Sequence, residues 1–430
     1  MKISELYKIF SQHSLITTDS RNCPDGSLFF ALKGDSFDGN DYIETALSNG
    51  AAYAVGDRKD LSSDNRIIQV DDSLKTLQDL ANYHRKQINP IVIAITGTNG
   101  KTTTKELTSA VLSSHFQIVC TQGNLNNHIG VPLTLLQLKE GDEMVVIEMG
   151  ANHQGEIHTL CEIADPDFGL ITNVGKAHLE GFGSFEGIIR TKIEMYEYLR
   201  KKEGKVFANA DNPILSSYFS SLDVITFGRS ESNFVRGRVS VESPFLEVEW
   251  LKEKGNRQKT SSHLIGNYNA ENIFAAVTIG TYFGVPAEKI NYSINNYIPD
   301  NNRSQYIQSG KNELIADAYN ANPSSMQMAL TNFFQINGDR KMVILGEMKE
   351  LGDYSEKEHR EIIRFLKENP IDKVCLVGAG FAVEELPSGW RLFSEIDELA
   401  NYLQQYPIEG YHILVKGSRS NKLENIISFL

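Results

Sequence analysis

The stretch IVIAITGTNGKTTT, residues 91–104, decides the predicted fold of this 430-residue chain. The apolar run IVIAI predicts a buried strand, and a helix is predicted over 102–114. Strands with such continuous apolar runs belong to parallel sheets that are covered on both faces. A Gly-rich turn between a buried strand and a helix is the setting of a phosphate-binding loop. The stretch therefore predicts an α/β fold that binds ATP or GTP.

The residue types of this loop indicate its chemistry. Gly97 and Gly100 let the backbone approach an anion closely, and amides at the start of the helix point at phosphate oxygens. Lys101 can reach the outer phosphates, and Thr102 can ligate Mg²⁺. The common spacing of such loops places glycine where this chain has Ile95, so a particular subclass of loop is indicated. The predicted nucleotide-binding residues of the loop are Gly97, Thr98, Asn99, Gly100, Lys101, Thr102 and Thr103.

Outward from the loop, the pattern of strands and helices predicts three domains. Residues 1–88 show a small mixed α/β pattern that ends before Asn89-Pro90. Residues 89–300 continue the strand–helix alternation, and a period-two stretch between about 224 and 265 predicts a small antiparallel sheet. Residues 301–430 repeat strand–helix pairs, which predicts a second doubly wound, Rossmann-like sheet.

Individual elements follow from apolar runs between turn signals. Ser355 with Glu358 three residues later predicts a capping box at the start of a helix. The other main predictions beyond the loop are strands at 143–149, 168–174, 313–318, 341–348, 373–380 and 411–417 and a helix at about 270–283.

Composition and charge exclude several classes of protein. With 42 Lys and Arg against 55 Asp and Glu, the net charge of −13 argues against a broad basic face for nucleic acid. The four cysteines are far apart and predict neither a disulfide framework nor a zinc site. Residues 1–14 lack the apolar stretch of a secretory signal, and no apolar run approaches the ~20 residues of a membrane span. We expect a cytoplasmic protein that binds neither nucleic acid nor membrane.

Two polar residues follow predicted strands of the central sheet. Glu148 ends the strand EMVVIEM, and His178 comes just after FGLITNV. Because ligands collect at the carboxyl ends of strands in an open parallel sheet, both side chains are expected to face the cleft of the phosphate loop. A carboxylate is a preferred ligand of Mg²⁺ and an imidazole is a softer one. Each residue is therefore either a metal ligand or a hydrogen-bonded structural residue.

Lys192 lies in the middle of an apolar stripe of the helix predicted for SFEGIIRTKIEMYEYLRK. Full burial shifts the pKa of a lysine down by up to ~3–5 units, so a partner or a chemical change is expected. One alternative is a packed stem with the ammonium in water. The other is a neutral amine that captures CO₂ as a carbamate, an oxygen-bearing anion suited to Mg²⁺. The stripe consists of Phe185, Ile188, Ile189, Tyr196 and Leu199.

A set of longer motifs makes the chain similar to the Mur ligase family. Within that family it most resembles the members that join D-alanyl-D-alanine to UDP-N-acetylmuramoyl-tripeptide, and TDSR (18–21) and ALKGDSFDGNDYI (31–43) extend the resemblance to nearly the whole chain. The motifs are TGTNGKTT (96–103), GNLNNHIGVPLTLL (123–136), EMGANHQGEI (148–157), NVGKAHLEGFGS (173–184), DAYNANPSSM (317–326) and LVKGSRSN (414–421).

The resemblance implies an ATP-dependent amide ligase that works through an acyl phosphate in the synthesis of peptidoglycan precursors. It implies an N-terminal domain for the UDP part, a central domain for ATP and Mg²⁺, and a C-terminal domain for the incoming amine. It also implies that the lysine at position 192 is carbamylated, against the alternative of an exposed ammonium. A monomer is expected.

The resemblance also implies roles for individual residues. Lys101, Lys192 and His178 would be catalytic, and the metal ligands would be Thr102, Glu148, His178 and the carbamate of Lys192. The nucleotide site would be completed by Asn269, Asn272, Arg303 and Asp317. Substrate contacts would come from Ser20 and Arg21 to UDP, Asn126 and Asn127 to its peptide, Asn320 to substrate, and Lys416, Ser418 and Arg419 to the dipeptide.

Alternatives remain open at this point. Loop asparagines often cap turns, and KGSRS could be a solvated loop. Asn40 and Thr191 stand where the family more often has His and Ala. A folylpolyglutamate synthase-like ligase shares the loop and metal arrangement, although such a ligase lacks an N-terminal domain of this kind. A P-loop kinase or nucleotide-driven switch that makes no amide is the alternative from another class.

Overall fold

The computed structural model describes residues 1–241, 244–252, 255–300 and 302–430. In these ranges three larger β-sheets, each accompanied by helices, follow one another along the chain, and a two-stranded hairpin accompanies the first sheet. We call the parts built on these sheets the N-terminal unit, the central unit and the C-terminal unit. The predicted α/β class is confirmed. Residue 301, where the third domain is predicted to begin, lies outside the described residues.

The N-terminal unit is built on a four-stranded sheet in the order β1-β2-β5-β6, with parallel pairing throughout. Its last helix begins after Asp72, whose carboxylate accepts the Lys75 N–H, and ends at Asn89 in a left-handed conformation. The elements are α1 (Ile3–Gln12), β1 (Ile16–Thr17), β2 (Leu28–Phe30), β3 (Lys33–Gly34), β4 (Phe37–Asp38), α2 (Ile43–Ser48), β5 (Tyr53–Gly56), β6 (Ile67–Gln69) and α3 (Ser73–Ile88).

Asn40, one of the two departures from the family pattern, is buried and fixes this unit from within. Its amide donates to the carboxylates of Asp38 at 2.7 Å and Asp57 at 2.8 Å, and its carbonyl oxygen accepts the Asp57 N–H at 3.0 Å. Because a buried group left without its partner costs more than an average hydrogen bond contributes, we expect Asn40→Ala to lower the free energy of unfolding by about 2 kcal/mol. Urea denaturation checks this value.

The matched control is Asn49→Ala in the same unit. Asn49 is exposed and donates one hydrogen bond to the Ser20 carbonyl oxygen, at 2.8 Å. Its loss is expected to cost about 0.5 kcal/mol or less, as at most surface positions. Equal destabilisation by the two substitutions would contradict the structural role of Asn40.

The central unit carries the phosphate loop on a nine-stranded sheet of the described residues, in the order β15-β14-β13-β12-β11-β10-β7-β9-β8. Its strands are β7 (Ile91–Thr96), β8 (Ile118–Cys120), β9 (Met144–Glu148), β10 (Phe168–Ile171), β11 (Lys205–Asn209), β12 (Asp223–Gly228), β13 (Val235–Val241), β14 (Glu247–Lys252) and β15 (Gln258–Ser261). Its helices are α4 (Lys101–Ser113), α5 (Gly130–Leu135), α6 (Glu156–Ala164), α7 (Leu179–Phe182), α8 (Phe185–Lys202), α9 (Pro213–Ser216), α10 (Asn269–Tyr282) and α11 (Ala287–Asn296).

The predicted small antiparallel sheet is not a separate sheet. Strands β13, β14 and β15 pair antiparallel, but β13 also pairs parallel with β12 through Phe227 with Val235 and Gly228 with Arg236. The period-two pattern therefore extends the edge of the central sheet. The turn predicted after β14 includes residues 253 and 254, which lie outside the described residues.

The strand before the phosphate loop is covered on both faces, as its apolar run predicts. Val92 and Ala94 belong to one buried cluster, and Ile93 and Ile95 belong to the other. The first cluster also contains apolar residues of α3, so this helix packs against the central unit as well as its own sheet. The loop is thereby held on a strand that both layers fix in place.

The C-terminal unit has a six-stranded sheet in the order β16-β17-β21-β18-β19-β20. Strand β16 is antiparallel to β17, and the other pairs are parallel. Its elements are β16 (Gln305–Gln308), β17 (Glu313–Asp317), α12 (Pro323–Gln335), β18 (Lys341–Gly346), α13 (Ser355–Glu368), β19 (Lys373–Val377), β20 (Arg391–Phe393), α14 (Ile396–Gln405) and β21 (His412–Lys416).

The predicted capping box at α13 is wrong. The helix begins at Ser355 itself, directly after the 3₁₀ turn Gly352–Tyr354, so this serine does not occupy the capping position. Its hydroxyl lies 3.3 Å from Nδ1 of His359, and Glu358 pairs with Lys176 of the central unit. A tertiary contact has taken the carboxylate that the local pattern assigns to a cap.

No helix of the described residues is long and apolar enough to cross a membrane.

Candidate nucleotide and ligase site

The phosphate loop occupies the connection from β7 to α4. Gly97 has φ 145° and Gly100 has φ 77°, both in the region that favours glycine, and α4 begins at Lys101. The Lys101 ammonium donates to the carbonyl oxygens of Gly97 at 2.9 Å and Thr98 at 3.0 Å. Burial lowers the pKa of Lys101 to about 8; the nearby Glu148 carboxylate opposes this shift.

Gly100 lies against Asn272 of α10, and two features make a side chain unfavourable at this position. A Cβ there would lie 2.5 Å from Asn272 Oδ1, and the backbone is left-handed. We expect Gly100→Ala to cost about 1–3 kcal/mol at the loop, a loss of roughly 5- to 150-fold in ATP affinity. Isothermal titration with ATP and Mg²⁺ measures this loss.

Gly141→Ala provides the matched control for this substitution. Gly141 is also left-handed, with φ 98°, but a Cβ there meets no atom within 4 Å. Alanine at this position is expected to leave ATP affinity unchanged. Wild-type affinity in Gly100→Ala would contradict the argument.

Glu148 ends β9 and presents a carboxylate to the same cavity as the loop. Its Oε1 accepts the amide of Asn126 at 2.8 Å, and its backbone N–H donates to the Thr121 hydroxyl at 3.0 Å. Among the described residues, Oε2 is buried and has no hydrogen-bond partner. The side chain is fixed, yet one of its oxygens is free to bind a cation.

His178 follows β10 and directly precedes the short helix α7. Its backbone is left-handed, with φ 49°. Its Nδ1 contacts the carboxylate of Glu350, which belongs to the C-terminal unit. The imidazole lowers the pKa of the Glu350 carboxyl through this hydrogen bond. The sequence placed His178 at the cleft, but it gave no sign of its partner.

Lys192 is buried on α8 with 3% of its surface exposed, and the predicted apolar stripe around it is confirmed. The alternative of an ammonium in water is wrong. Within the part of the chain that the structure describes, Nζ has no hydrogen-bond or ion-pair partner, and it lies 5.6 Å from the centre of the Phe182 ring. Burial, with the charge of Lys101, lowers the pKa of Lys192 to about 7.

The C-terminal unit contributes charged residues to the cavity. The Arg303 guanidinium stacks 3.7 Å from the centre of the Tyr319 ring, and among the described residues its Nε has no hydrogen-bond partner. Lys416 donates to the Asp317 carboxylate at 2.6 Å and to the Asn320 carbonyl oxygen at 3.2 Å. Asp317, expected near the nucleotide, and Lys416, expected near the dipeptide, therefore form one ion pair, in which Lys416 is buried and Asp317 is partly exposed.

One cavity of about 840 Å³ unites most of the predicted site residues of the central and C-terminal units. Asn269 and Asn272 line it while bonding each other, with Asn272 donating to Asn269 at 2.8 Å. The predicted residues that line it are Thr98, Asn99, Gly100, Lys101, Thr102, Thr103, Asn126, Asn127, Glu148, His178, Asn269, Asn272, Arg303, Asp317, Asn320 and Lys416.

Six predicted residues do not line this cavity: Gly97, Lys192, Ser20, Arg21, Ser418 and Arg419. Arg21 lies in the N-terminal unit and pairs with Asp19 at 2.9 Å, and Ser418 is buried, with its hydroxyl accepting the Lys349 N–H at 3.0 Å. Asn127 lines the cavity, but its side-chain oxygen accepts the N–H groups of Ile129 at 3.1 Å and Gly130 at 2.9 Å and so caps the turn that leads into α5. The structure supports the capping alternative for the contacts of this asparagine.

Sequence reasoning missed the residues that hold the loop in shape. Asn173 accepts the Asn99 N–H at 3.0 Å, and the Thr172 hydroxyl donates to the Asn99 carbonyl oxygen at 2.7 Å. Asn322 of the C-terminal unit donates to the Asn99 side chain at 2.8 Å. The motif containing Asn322 was identified, but nothing local indicates a partner more than 200 residues away.

The residues present fit a magnesium ion that also binds ligand phosphates. The described residues contain no group of three or more His, Cys, Asp or Glu side chains placed to hold a metal by themselves. The unpartnered Oε2 of Glu148 and the Thr102 hydroxyl at the helix start supply oxygen donors, and His178 lines the same cavity. Mg²⁺ is commonly held in this way, by one or two protein ligands and substrate phosphates.

A phosphate loop in a central unit that shares its cavity with a C-terminal unit is the arrangement of a nucleotide-dependent enzyme, and the chain belongs to the Mur ligase family. Family models described as "Mur ligase family, catalytic domain", "Mur ligase middle domain" and "Mur ligase, glutamate ligase domain" match residues 13–85, 95–280 and 302–419.

The relatives point to one member of this family. The UDP-N-acetylmuramoyl-tripeptide--D-alanyl-D-alanine ligase of Bacillus subtilis (strain 168) is 34% identical over 426 residues, covering 96% of this chain and 92% of its own length. A crystal structure of MurF from Acinetobacter baumannii has a TM-score of 0.88 at 30% identity, covering 99% and 98%. MurF ligase from Thermotoga maritima, solved in complex with ADP, has a TM-score of 0.87 at 28% identity, covering 100% and 98%.

Proposed function

We propose that the chain is an ATP-dependent ligase that joins D-alanyl-D-alanine to UDP-N-acetylmuramoyl-tripeptide in cytoplasmic peptidoglycan precursor synthesis. The observation that carries the proposal is the single cavity in which the phosphate loop, the free oxygen of Glu148 and Arg303 of the C-terminal unit meet. The Bacillus subtilis relative is named for this reaction, and the Thermotoga maritima neighbour was solved with ADP.

The three predicted domains divide the substrates between them. Residues 1–88 hold the UDP part, through Ser20 and Arg21. Residues 89–300 hold ATP on the loop, and residues 301–430 bring the amine. The cavity supports this division, because the phosphate loop of the central unit and the Asp317–Lys416 pair of the C-terminal unit both line it. The chain acts as a monomer.

The reaction has two steps. A carboxylate oxygen of the tripeptide attacks the γ-phosphorus of ATP, the bond to the bridging oxygen breaks, and ADP leaves with that electron pair. The amine of D-alanyl-D-alanine then attacks the acyl carbon, phosphate leaves, and the amine loses a proton. Lys101 and the loop amides neutralise and orient the phosphates, since catalysis of phosphoryl transfer is mainly positioning and charge stabilisation.

Mg²⁺ is held by Thr102, Glu148 and His178 in this proposal. The ion supplies charge neutralisation at the phosphate oxygens when bound. Glu148 suits this role because the Asn126 amide fixes one oxygen and leaves the other without a partner among the described residues. His178 is held by Glu350, so its ring is oriented by the C-terminal unit.

We also propose a carbamate on Lys192. The ammonium first loses one proton, and the neutral amine then forms a bond to the carbon of CO₂ and loses a second proton, so that a buried cation becomes an anion. The support is a buried amine without a hydrogen-bond or ion-pair partner in the described ranges, whose pKa burial lowers to about 7. An uncharged lysine is available near neutral pH, which an ordinary lysine is not.

Incubation with ATP, Mg²⁺, UDP-N-acetylmuramoyl-tripeptide and D-alanyl-D-alanine tests the function. We expect ADP, phosphate and the pentapeptide nucleotide in equal amounts. A coupled assay measures phosphate release, and mass spectrometry measures the product. ADP without the pentapeptide would overturn the proposal. A phosphorylated acceptor as stable product would indicate a kinase, and phosphate release that needs neither substrate would indicate a switch. In a parallel incubation with glutamate and a folate, addition of glutamate to the folate would indicate the rival ligase.

A further inference from the structure

The segment after β10 connects the phosphate loop to the C-terminal unit. The Gly175 N–H donates to the Thr98 hydroxyl of the loop at 3.0 Å. The next residue, Lys176, uses its backbone N–H to donate to the Ser324 hydroxyl of the C-terminal unit at 2.7 Å. One short segment therefore contacts both the phosphate loop and the C-terminal unit.

The side chain of Lys176 makes a charged contact across the same boundary. Its ammonium lies 2.7 Å from Oε1 of Glu358, which projects from α13 of the C-terminal unit. Glu358 is 5% exposed, and within the described residues its carboxylate has no other hydrogen-bond or ion-pair partner. A carboxylate this well shielded from water keeps its charge at least cost when a cation faces it.

The pair lies at the boundary between the central and C-terminal units, where it can fix the orientation of one unit relative to the other. Asn322 of the C-terminal unit also donates to the Asn99 side chain of the loop, but that contact is between neutral groups. Opposite charges fix orientation over a longer range than neutral hydrogen bonds do. Neither Lys176 nor Glu358 lines the cavity that the phosphate loop shares with the C-terminal unit. The pair therefore lies outside the set of residues proposed to act on the substrates.

We infer that Lys176 and Glu358 are positioning residues, an ion pair that docks the C-terminal unit against the phosphate loop so that Arg303 and the Asp317–Lys416 pair face bound ATP. This inference rests on the proposed ligase function for its kinetic consequence. The docking itself does not, because it is argued from contacts between the two units and not from a bound substrate.

A double-mutant cycle tests the pair, with Lys176→Met, Glu358→Gln and the double variant. We expect each single variant to lower kcat/KM for D-alanyl-D-alanine by about 5- to 10-fold, and the double variant to be no worse than the worse single, because the second change removes a group already without its partner. Lys176→Arg is expected to retain activity. Glu361→Gln, three residues along α13, removes a half-buried carboxylate that pairs with Arg364 of the same helix and not with the central unit; it is the control and is expected to match wild type.

Small-angle X-ray scattering of the substrate-free protein provides a second readout that does not depend on catalysis. Each single variant is expected to show a larger radius of gyration than the wild type and Glu361→Gln. Multiplicative kinetic losses in the double variant, or wild-type scattering in both singles, would overturn the inference. Failure of wild type to make the pentapeptide would overturn the proposed function, and scattering would still decide the role of the pair.

Discussion

Lys101→Met is expected to lower kcat/KM for ATP by about 10²–10³-fold, the range found when one charged or hydrogen-bonding group that stabilises a developing charge is removed. The Lys101 ammonium lies at the start of α4, held by carbonyl oxygens of its own loop at 2.9 and 3.0 Å. It is therefore already placed next to the amides that receive the phosphates. Methionine has a similar length and no charge, so the loop keeps its packing and loses the cation.

Coupled ADP release measures this effect, with urea denaturation to confirm that stability is retained. Burial has already lowered the pKa of Lys101, so removing its charge is not expected to destabilise the fold. Lys139→Met, an exposed change in the same unit, is the control and should keep wild-type kinetics. Activity of Lys101→Met within threefold of wild type would show that this lysine does not serve the phosphates.

The main strands could be predicted because burial on both faces leaves a plain trace in the sequence. Strand β7 alternates its side chains between two clusters, so every residue of IVIAI has to be apolar. The short edge strands β16 and β20 leave no such trace. In β20, two residues are exposed, and its pairing depends on β19 lying beside it. Periodicity cannot show what a neighbouring strand provides.

The candidate site could be predicted as a set of positions but not as a set of contacts. Glu148 and His178 were placed at the cavity because parallel strands end at one edge of a sheet. That Asn126 holds Glu148 and that Glu350 faces His178 depends on how loops and units dock. The wrong capping box at Ser355 has the same cause, since Glu358 is used by Lys176 across a boundary that no local pattern reports.

Loss of the Lys192 amine is expected to have an effect as large as loss of Lys101. Lys192→Ala removes the only nitrogen on which the proposed carbamate can form, and we expect kcat to fall by about 10²–10³-fold. The change also leaves a space where the buried Lys192 side chain lay. Formate or acetate can enter that space and supply a carboxylate where the carbamate would lie, so millimolar amounts of either acid are expected to restore part of the activity.

Lys192→Met separates this chemical rescue from a general effect of the acids. Methionine fills the space that alanine opens, so the same acids are expected to leave its activity low. Because the Lys192 ammonium has no hydrogen-bond or ion-pair partner among the described residues, neither change removes a polar contact, and the methionine variant should unfold at or above the wild-type urea midpoint. Equal rescue of both variants would contradict a carboxylate bound at position 192, and full activity of Lys192→Ala without additives would rule out a carbamate there, because the remaining charges of the cavity would then suffice for catalysis.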